Sequence, residues 1–518
     1  MIQSAARKKK TPALEKVWEN TIEEQKKGYC EGPFGSEEEV SNYLGTEGWI
    51  ATERFPREQK NKVRGVDSAT VSEINPASAV SEDLVLASTD RNVDMLKRWY
   101  KMMRELDAEQ PMMGWVLDET DAYRQIAVSP EHRKYSVIAL KNPRTGAVNF
   151  FVMVGHSFGV VSAVYSYNRR SALINDILNR VFAVPANFFY DDKFGFEPSS
   201  TARSALDCVS FVHRACGCDF ALKKVQLKSN PTVLGIEYDL IRQVLEVTEA
   251  RKDELQQEIK EILNRKKLPP GQAAKLKGKL MFAASQIWGK LGRAYLLALS
   301  ERQYTKSYRE SLDRALELSL KQLSKLLDLA PRRELKPYES DQVEVVIFTD
   351  GYYPDARKGE KGQSQVGAVL FTAGGKERPL YLSEKIPQAT IDTWLTRNNQ
   401  IAMVELFAPV LALHAMEDRV KGRRILLFVD SEAVEGALVK GYSSRTDLSE
   451  LVGKFWEQAA RLGCLVYICR VSTDGNPADG PSRPGKCTPQ PELMWERVST
   501  TLVHELGRVQ QRAWVKVG

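Results

Sequence analysis

The chain has 518 residues, of which 43% are hydrophobic and 27% are charged, and its formal net charge at pH 7 is +7. This length exceeds what one hydrophobic core usually supports, so we expect at least two domains with the composition of an ordinary globular protein. No apolar run of about 18 residues or more occurs, which excludes a predicted transmembrane helix, and the basic start "MIQSAARKKK" lacks the apolar stretch of a secretory signal.

The seven cysteines are scattered and form no CxxC pair, and Cys216 and Cys218 lie too close together for a zinc knuckle. We therefore expect reduced thiols and an intracellular location, in the cytoplasm, the nucleus or both. None of the five histidines belongs to a group of residues that we predict below to bind metal, so we interpret them as structural or surface residues. They are His132, His156, His213, His414 and His504.

The first 245 residues mix predicted helices and strands. Residues 1–45 are polar and predicted to be helical, with a loop at "GYCEGPFG". Short strands and loops follow, then a helix at "RNVDMLKRWYKMMREL". After residue 111 the pattern predicts the strand "MMGWVLD", a hairpin around "KNPRTGA" and the helix "VVSAVYSYNRRSALINDILNRVF". The segment "NFFYDDKFGF", a helix over 200–216 and a hairpin through "LGIEYDLIRQVLEV" complete this region.

The middle of the chain is predicted to be helical and basic. Residues 248–328 have helical periodicity with a break at "KKLPPGQ". From Arg251 to Lys336 the excess of basic over acidic residues is larger than in the whole chain, which indicates a track for a polyanion, with Lys275, Lys277 and Lys279 among its lysines. A solvated helical face is the alternative interpretation.

The last part of the chain has a pattern of its own. A predicted linker at "LAPRRELKPYESDQ" is followed by the strands "VEVVIFTDG", "SQVGAVLFTAG" and "ERPLYLSEKI". The helix "NNQIAMVELFAPVLALHAM", the strand "RRILLFVD", another helix and the strand "CLVYICRV" come next. Three strands followed by alternating helix and strand predict a separate α/β domain.

Two adjacent carboxylates, Asp191 and Asp192, stand between aromatic residues in "NFFYDDKFGF". Like charges repel, so this pair needs a countercharge, and hard carboxylate oxygens suit Mg²⁺. A polar surface turn would explain the short motif as well. The segment "GWVLDETDAYRQIAV" ends an apolar strand at Asp118, which adds a third acid for a shared metal site.

These segments, in this order, resemble the palm of a reverse transcriptase. "DETDAYRQIAV" resembles the first metal motif of that family, "SFGVVSA" its Phe-Gly motif, and "FYDD" its Tyr-x-Asp-Asp motif. Upstream, "RFPREQKNKVRGVDSATVSEIN" is similar to the fingers segment of the family. Downstream, "GCDFALKKVQL", "VLGIEYD" and "LPPGQAAKLKGKLMFAASQIWGKLGRA" are similar to the Glu-Lys motif, the primer-gripping hairpin, and the thumb and connection.

The resemblance implies that Asp118, Asp191 and Asp192 are catalytic and hold two Mg²⁺ ions, for which Mn²⁺ can substitute. It also implies that Lys62 and Arg64 contact the triphosphate and that Tyr123 lies under the sugar. Phe158 and Gly159 would line the pocket for nucleotide and template, and Lys224 would lie near the leaving pyrophosphate. The chain departs from the family pattern without losing a metal ligand at Ser68, Ser157, Val160, Val164 and Phe189.

Residues 341–485 resemble ribonuclease H. Asp350 ends the first predicted strand in "IFTDGYYPD", and Glu405 lies on the first predicted helix in "AMVELFAPVLAL". Asp430 ends the fourth predicted strand in "LLFVDSEAVEGAL", and Asp479 lies in the final motif "VSTDGNPADGPSR". Any one of them alone could be a capping or surface acid. Together, the resemblance implies two further Mg²⁺ ions and hydrolysis of the RNA strand of an RNA–DNA hybrid. Ser472, Thr473 and Asp474 stand where some members have a histidine.

We therefore expect a multidomain α/β and α+β protein, a right-hand polymerase with fingers, palm and thumb followed by a connection and a ribonuclease H-like domain. The expected limits are an N-terminal helical extension (1–45), fingers and palm (46–245), thumb and connection (246–340), ribonuclease H-like domain (341–485) and C-terminal tail (486–518). The expected partners are an RNA template, a DNA primer, RNA–DNA hybrid and dNTPs, without a membrane.

The implied function is that of a retrotransposon RNA-directed DNA polymerase of the DIRS-type or gypsy class, whose chain can be one piece of a longer element product. One alternative is a divergent or inactive remnant that binds nucleic acid through its basic segment without catalysis. Retention of all seven candidate ligands argues against decay. An RNA-templated RNA polymerase is disfavoured, because only DNA synthesis on RNA makes the hybrid that a ribonuclease H degrades. The sequence fixes neither the primer nor the oligomeric state.

Overall fold

A computed structural model describes residues 1–59, 62–283, 289–305, 310–329, 332–335, 343–354, 362–375, 377–485 and 494–509. The chain divides into two compact units, Met1–Leu234 with Tyr238–Gln243, and Gly235–Glu237 with Val244–Gly518. Each unit is a mixture of helices and β-sheet. Most of the predicted linker at 329–342 and much of the predicted tail lie outside the described residues. Within the described ranges, no helix combines the length and apolarity needed to cross a membrane.

The first unit alternates helices with strands along the chain. Its helices are α1 (Ile2–Ala6), α2 (Pro12–Lys26), α3 (Glu37–Leu44), α4 (Ile74–Ala77), α5 (Thr89–Glu105), α6 (Val161–Arg180) and α7 (Ala202–Ala215). Its strands are β1 (Cys30–Phe34), β2 (Ala51–Gln59), β3 (Lys62–Asp67), β4 (Met112–Asp118), β5 (Val137–Lys141), β6 (Val148–Met153), β7 (Ala186–Phe189), β8 (Asp192–Pro198), β9 (Gln226–Lys228) and β10 (Thr232–Val233). Strand β11 (Ile236–Asp239) lies where the chain passes between the units.

One sheet of this unit has the strand order β1-β6-β5-β2-β3. The predicted hairpin around "KNPRTGA" is confirmed as β5 and β6, which pair antiparallel. The predicted loop at "GYCEGPFG" is wrong, because its residues form β1 at the edge of the sheet, with Cys30 opposite Met153. Cys30 is buried in an apolar cluster with Leu14 and Phe151, so the N-terminal residues share the core of this sheet.

The second sheet of the unit has the order β7-β8-β4-β9 and carries the three acids of the first candidate site. The apolar run "MMGWVLD" forms β4 as predicted, and it is central because it pairs antiparallel with both β8 and β9. Trp115 and Leu117 of β4 are buried with Ile174 of α6 and Val209 of α7. The two helices therefore cover one face of the strand that ends at Asp118.

The second unit begins with a helical region and continues into a sheet. Its helices are α8 (Glu249–Arg265), α9 (Pro270–Ala283), α10 (Leu296–Tyr304), α11 (Arg314–Leu329), α12 (Gln388–Ile391), α13 (Ile401–Ala415), α14 (Glu417–Val420), α15 (Glu432–Lys440), α16 (Thr446–Arg461), α17 (Asp479–Ser482) and α18 (Val503–Gly507). Its strands are β12 (Val244–Val247), β13 (Arg333–Glu334), β14 (Val345–Tyr352), β15 (Gln365–Thr372), β16 (Leu380–Lys385), β17 (Arg424–Val429), β18 (Leu465–Arg470) and β19 (Glu496–Val498).

The large sheet of this unit has the order β18-β17-β14-β15-β16-β19. Strands β14, β15 and β16 are successive antiparallel neighbours, while β17 and β18 add in parallel on the other side of β14. Helix α13 is apolar nearly all round and lies in the core, as its sequence predicts for a buried helix. The single predicted helix between β17 and β18 is two helices, α15 and α16, and β19 was not predicted.

Candidate active sites

The hairpin of β7 and β8 brings three predicted metal ligands to one end of a sheet. Asp118 and Asp192 lie directly opposite each other on paired antiparallel strands, a position in which Cβ atoms are about 4.5–5.5 Å apart. Phe189 pairs with Asp192, so Tyr190 and Asp191 form a two-residue turn, with Tyr190 at a φ of 52°. The turn leaves Asp191 exposed at the tip.

Burial and neighbouring negative charge both act on the acids of this site. Burial raises the pKa of Asp192 to about 6, and the neighbouring charges of Asp191 and Asp118 add to the rise. The ammonium group of Lys224 lies 2.6 Å from Oδ2 of Asp118 and balances part of this charge. A set of carboxylate oxygens with excess negative charge fits a hard divalent cation such as Mg²⁺.

A buried ion pair beneath these acids was missed by the sequence analysis. Glu119 follows Asp118, Lys193 follows Asp192, and the Lys193 ammonium lies 3.2 Å from Oε1 of Glu119 with both side chains almost fully buried. Arg170 of α6 also pairs with Glu119, at 2.5 Å. Successive residues of a strand point to opposite faces of the sheet. Because Asp118 and Asp192 point toward the candidate site, the sequence could have predicted that the charged residues after them point into the core.

Tyr123 is part of an aromatic cluster next to the acids. Its ring packs edge-on against Phe158, with ring centroids 5.3 Å apart, and against Tyr167 at 4.8 Å. Burial raises the pKa of Tyr123 to about 12, with a further contribution from the charge of Asp191. The structure therefore brings Tyr123 and Phe158 together close to the hairpin, and their predicted roles toward the sugar and the template stay predictions.

Gly159 occupies a position that only glycine tolerates. Its φ is 100°, and an added Cβ would lie 2.6 Å from the backbone oxygen of Asp67. Asn75 fixes the same turn, because its amide donates to the Gly159 oxygen and its side-chain oxygen accepts from the backbone N–H of Val161. The start of α6 is thus held against the end of β3.

Lys62 and Arg64 are both exposed on one face of β3, the edge strand of its sheet. Arg57 lies directly opposite Arg64 on β2 and is also exposed, so the face carries three cations. Among the described residues, no hydrogen bond or ion pair joins Lys62 or Arg64 to the acids of the hairpin. Their predicted contact with a triphosphate stays a prediction.

A second buried charge network, also missed from the sequence, supports this part of the unit. Arg54 binds Asp67 through two hydrogen bonds of 2.7 and 3.0 Å and donates to Glu24 at 2.8 Å. Arg124, one residue after Tyr123, pairs with Glu24 at 3.1 Å and donates to the His156 backbone oxygen at 2.7 Å. The network joins α2 to β2, to the end of β3 and to the turn that contains Tyr123 and Arg124.

The second unit gathers the four acids predicted for ribonuclease H around the end of β14. Asp350 lies on β14, Asp430 follows β17, and these strands are parallel neighbours. Glu405 lies on α13, which approaches β14 so closely that a Cβ on Gly351 would come within 2.7 Å of the Glu405 backbone nitrogen. Asp479 begins α17, and a Cβ on Gly367 of β15 would be 2.3 Å from the Ser482 nitrogen of that helix.

Burial, together with the charges of neighbouring acids, raises the pKa values of Asp350, Glu405 and Asp430. Burial raises the pKa of Glu405 to about 7, opposed by a hydrogen bond from Ser431 and reinforced by the charges of Asp430 and Asp350. Burial also raises the pKa of Asp350 to about 6, and Asp430 and Asp479 add to the rise. The pKa of Asp430 is raised chiefly by burial as well. The four acids therefore form one electrostatic cluster.

Each acid of this cluster also has a protein partner. Ser482 donates to Asp350 at 2.5 Å, Thr473 donates to Asp430 at 3.3 Å, and Arg483 pairs with Asp479 at 2.6 Å. Thr473, noted for replacing a histidine, is thus at the cluster. In the described part of the chain, no three His, Cys, Asp or Glu side chains are arranged to hold a metal ion as they stand. The oxygen donors suit Mg²⁺, and its binding would require some of these partners to move.

The basic helical region is only partly available to a polyanion. Lys279 lies 2.7 Å from Glu254 and 2.8 Å from Glu258, both on α8, so its charge is neutralised within the unit. Lys275 is exposed and Lys277 is half-buried on the same helix. The three lysines that the sequence grouped together are therefore not equivalent.

Comparisons with known proteins give only distant likenesses. No protein-family model matches the chain, and no curated protein matches it. The solved structure of a foamy viral protease-reverse transcriptase dRH with double-stranded DNA is 13% identical, with a TM-score of 0.44 over 84% of this chain and 69% of that chain. A foamy viral protease-reverse transcriptase with RNA/DNA hybrid is 13% identical, with a TM-score of 0.43 over 84% of this chain and about half, 53%, of that chain. Both likenesses are too distant to assign an activity.

Proposed function

We propose that the chain is an RNA-directed DNA polymerase of a retroelement, of the DIRS-type or gypsy class, with a ribonuclease H activity in its second unit. It would extend a DNA primer on an RNA template with dNTPs and cut the RNA strand of the resulting hybrid. The observation that supports the proposal most strongly is the pairing of Asp118 with Asp192 across two strands, with Asp191 at the adjoining turn.

The proposed roles in the first unit follow from charge and position. Asp118, Asp191 and Asp192 would hold two divalent cations, Mg²⁺ or Mn²⁺, which when bound supply charge stabilisation to both the attacking and the leaving oxygen of an in-line displacement. Lys224 would exchange its present partner, Asp118, for an anionic group of the substrate. Tyr123 would limit the room for a 2′-hydroxyl, and Phe158 and Gly159 would shape the floor of the pocket.

The second unit supports a hydrolytic role. Asp350, Glu405, Asp430 and Asp479 crowd the end of β14, and burial raises the pKa of Glu405 to about 7, with a further contribution from the charges of Asp430 and Asp350 that a divalent cation would relieve. Glu405 is proposed as a ligand on a rigid, buried helix, which suits a site whose geometry must be fixed. Arg483, which is paired with Asp479, would bind a phosphate of the hybrid once it leaves that acid.

A second candidate function is nucleic-acid binding without catalysis. It is favoured by the ion pair of Lys224 with Asp118, because in this arrangement a side chain already neutralises the acid. This candidate predicts retention of an RNA–DNA hybrid at low salt with no extension of a primer and no cleavage. The two candidates therefore differ in turnover and not in binding.

One experiment separates the candidates and tests both proposed sites. A labelled DNA primer on a labelled RNA template is incubated with the chain, dNTPs and Mg²⁺, and extension and RNA cleavage are followed in the same tube. We expect both activities in the original chain, and loss of cleavage with extension nearly unchanged in Asp430→Asn, with the exposed Asp418→Asn as the matched control. Binding without either activity would support the second candidate. Loss of both activities in Asp430→Asn would contradict separate sites.

A further inference from the structure

The side chain of Lys193 crosses beneath the acidic hairpin and reaches its turn. The ammonium donates to the backbone oxygen of Tyr190 at 2.7 Å and to the Ser171 hydroxyl at 3.0 Å. The other turn carbonyl is held as well, because the backbone N–H of Glu119 donates to the oxygen of Asp191 at 3.2 Å. Both carbonyls of the two-residue turn are therefore bonded to groups beside the acids.

The surroundings of Lys193 fix its direction. Its ammonium forms the ion pair with Glu119 and lies 5.1 Å from the centre of the Tyr167 ring and 5.4 Å from that of Phe188. Arg170 holds the other oxygen of Glu119 at 2.5 Å, so the carboxylate is fixed from two sides. The lysine is thus clamped between α6 and the strand that ends at Asp118.

Stability alone is a weak reason to place these charges in a core. Burying an ion pair costs desolvation free energy of several kcal/mol per ion, and apolar residues of similar volume are often as stable or more stable. The rings of Tyr167 and Phe188, which lie next to the ammonium, supply apolar surface against which such a replacement could pack. What an apolar residue cannot provide is a donor to the Tyr190 carbonyl.

We infer that Lys193 and Glu119 are positioning residues, which hold the turn so that Asp191 and Asp192 face Asp118 at a fixed separation. The expected effect on primer extension rests on the proposed polymerase function. The expected effect on the order of the turn rests only on the contacts of the hairpin. Both side chains are buried, so neither is proposed to contact substrate or metal. Losing a partner that orients a metal ligand typically lowers metal affinity or activity by about 10- to 100-fold.

The test uses Lys193→Met, which keeps the length of the side chain and removes its donor. Glu119 keeps Arg170 as partner in this variant, so the unit is expected to fold, and Lys193→Met with Glu119→Gln provides a second variant without the carboxylate charge. Lys141→Met is the matched control, since Lys141 also donates to two backbone oxygens, of Ala6 and Lys8, away from the hairpin.

Three quantities are measured on the full chain: hydrogen–deuterium exchange of residues 186–198, the Kd for Mn²⁺ by calorimetry, and the kcat of primer extension. We expect exchange of the hairpin about 10- to 100-fold faster in both Lys193 variants, as for a lost bond from a charged donor. The Kd for Mn²⁺ should rise and kcat should fall by about 10- to 100-fold, with KM for dNTP changed less. Lys141→Met should match the original chain in all three.

Two results would overturn the inference. Unchanged exchange of the hairpin in both Lys193 variants would show that the turn does not depend on this lysine. Equally faster exchange in β5 and β6 would show that the pair holds the unit as a whole and positions nothing in particular. If the original chain extends no primer, the proposed function fails, while exchange and Mn²⁺ binding still decide the inference.

Discussion

The Nζ atom of Lys224 lies 2.6 Å from Oδ2 of Asp118, so the first candidate site contains its own competing cation. The lysine is mostly exposed, with 63% of its side chain accessible, and can move away from the acid. In the proposed site, the charge of Lys224 would compete with a metal ion at Asp118 and would also balance the charge of a bound triphosphate.

Replacing Lys224 with Met should therefore act in two directions. Without nucleotide, Mg²⁺ should bind up to about fivefold more tightly, since exposed ion pairs contribute little free energy and the competitor is gone. Primer extension should slow, because a countercharge for the leaving pyrophosphate is lost. Calorimetric titration with Mg²⁺ and steady-state kinetics measure the two effects, with the exposed neighbour Lys223→Met as control. If neither quantity changes, the contact with Asp118 has no functional role.

Tyr123 is expected to discriminate against ribonucleotides. Its ring is held edge-on by Phe158 and Tyr167, which fixes the bulk next to the acids. Overpacking costs about 1–3 kcal/mol. This is roughly 10- to 100-fold in rate. Tyr123→Val should lower the ratio of kcat/KM for dNTP over rNTP by about that factor, whereas Tyr123→Phe should keep it. A constant ratio with both rates reduced would identify a packing residue.

The basic helix α9 should contribute unequally to nucleic-acid binding. Log affinity for a duplex falls with log salt by about 0.9 per neutralised phosphate. Lys275→Ala with Lys277→Ala should flatten this slope by up to about 1.8. Lys279→Ala should leave the slope nearly unchanged, because Lys279 is paired with Glu254 and Glu258. Filter-binding of a labelled hybrid between low and moderate salt measures the slopes. A full effect from Lys279 alone would show that those ion pairs open on binding.

Glu405 should make the metal-free second unit less stable as the pH rises. Its pKa of about 7 in the fold lies above the ordinary 4.5, so the folded state binds the proton more tightly. The ionised Glu405 side chain lowers the free energy of unfolding. This effect is absent below pH 4.5, grows between pH 4.5 and pH 7, and is complete above pH 7. With EDTA, Glu405→Gln should raise the free energy of unfolding by about 2–4 kcal/mol at pH 8 and hardly at pH 4.5.

Hydrogen exchange of strand β14 at the two pH values measures this difference, with the exposed Glu505→Gln as control. Adding Mg²⁺ should stabilise the original chain at pH 8 more than Glu405→Gln, because the ion relieves the same charge. A pH-independent effect of Glu405→Gln would contradict a pKa of Glu405 that burial and the neighbouring acids raise in the folded unit.

The sequence predicted the elements whose patterns are long and regular. The apolar run to Asp118 and the buried helix around Glu405 formed where periodicity placed them. The edge strand at Cys30 was missed because glycine and proline within "GYCEGPFG" are typical of a loop, and only pairing with β6 makes it a strand. Tertiary contacts decided that segment.

The charged networks could be predicted less well than the acids. Glu119 directly follows β4 and Lys193 lies on β8. Charged residues usually face solvent, so the burial of these two depends on partners far along the chain. Arg54 and Asp67 likewise meet only because β2 and β3 pair in one register. Glu119 and Lys193 directly follow the predicted ligands Asp118 and Asp192. Because side chains alternate between the two faces of a strand, this position could have predicted that both charged side chains point into the core.

The central proposal is tested most directly by primer extension on an RNA template, comparing the original chain with Asp191→Asn. The substitution removes a charge from the turn with little change of volume, and Asp207→Asn on α7 is the matched exposed control. We expect the original chain and Asp207→Asn to extend the primer with Mg²⁺, and Asp191→Asn to be slower by at least about 100-fold with hybrid binding retained. Extension by Asp191→Asn at the original rate would contradict the proposed role of Asp191 as a catalytic metal ligand.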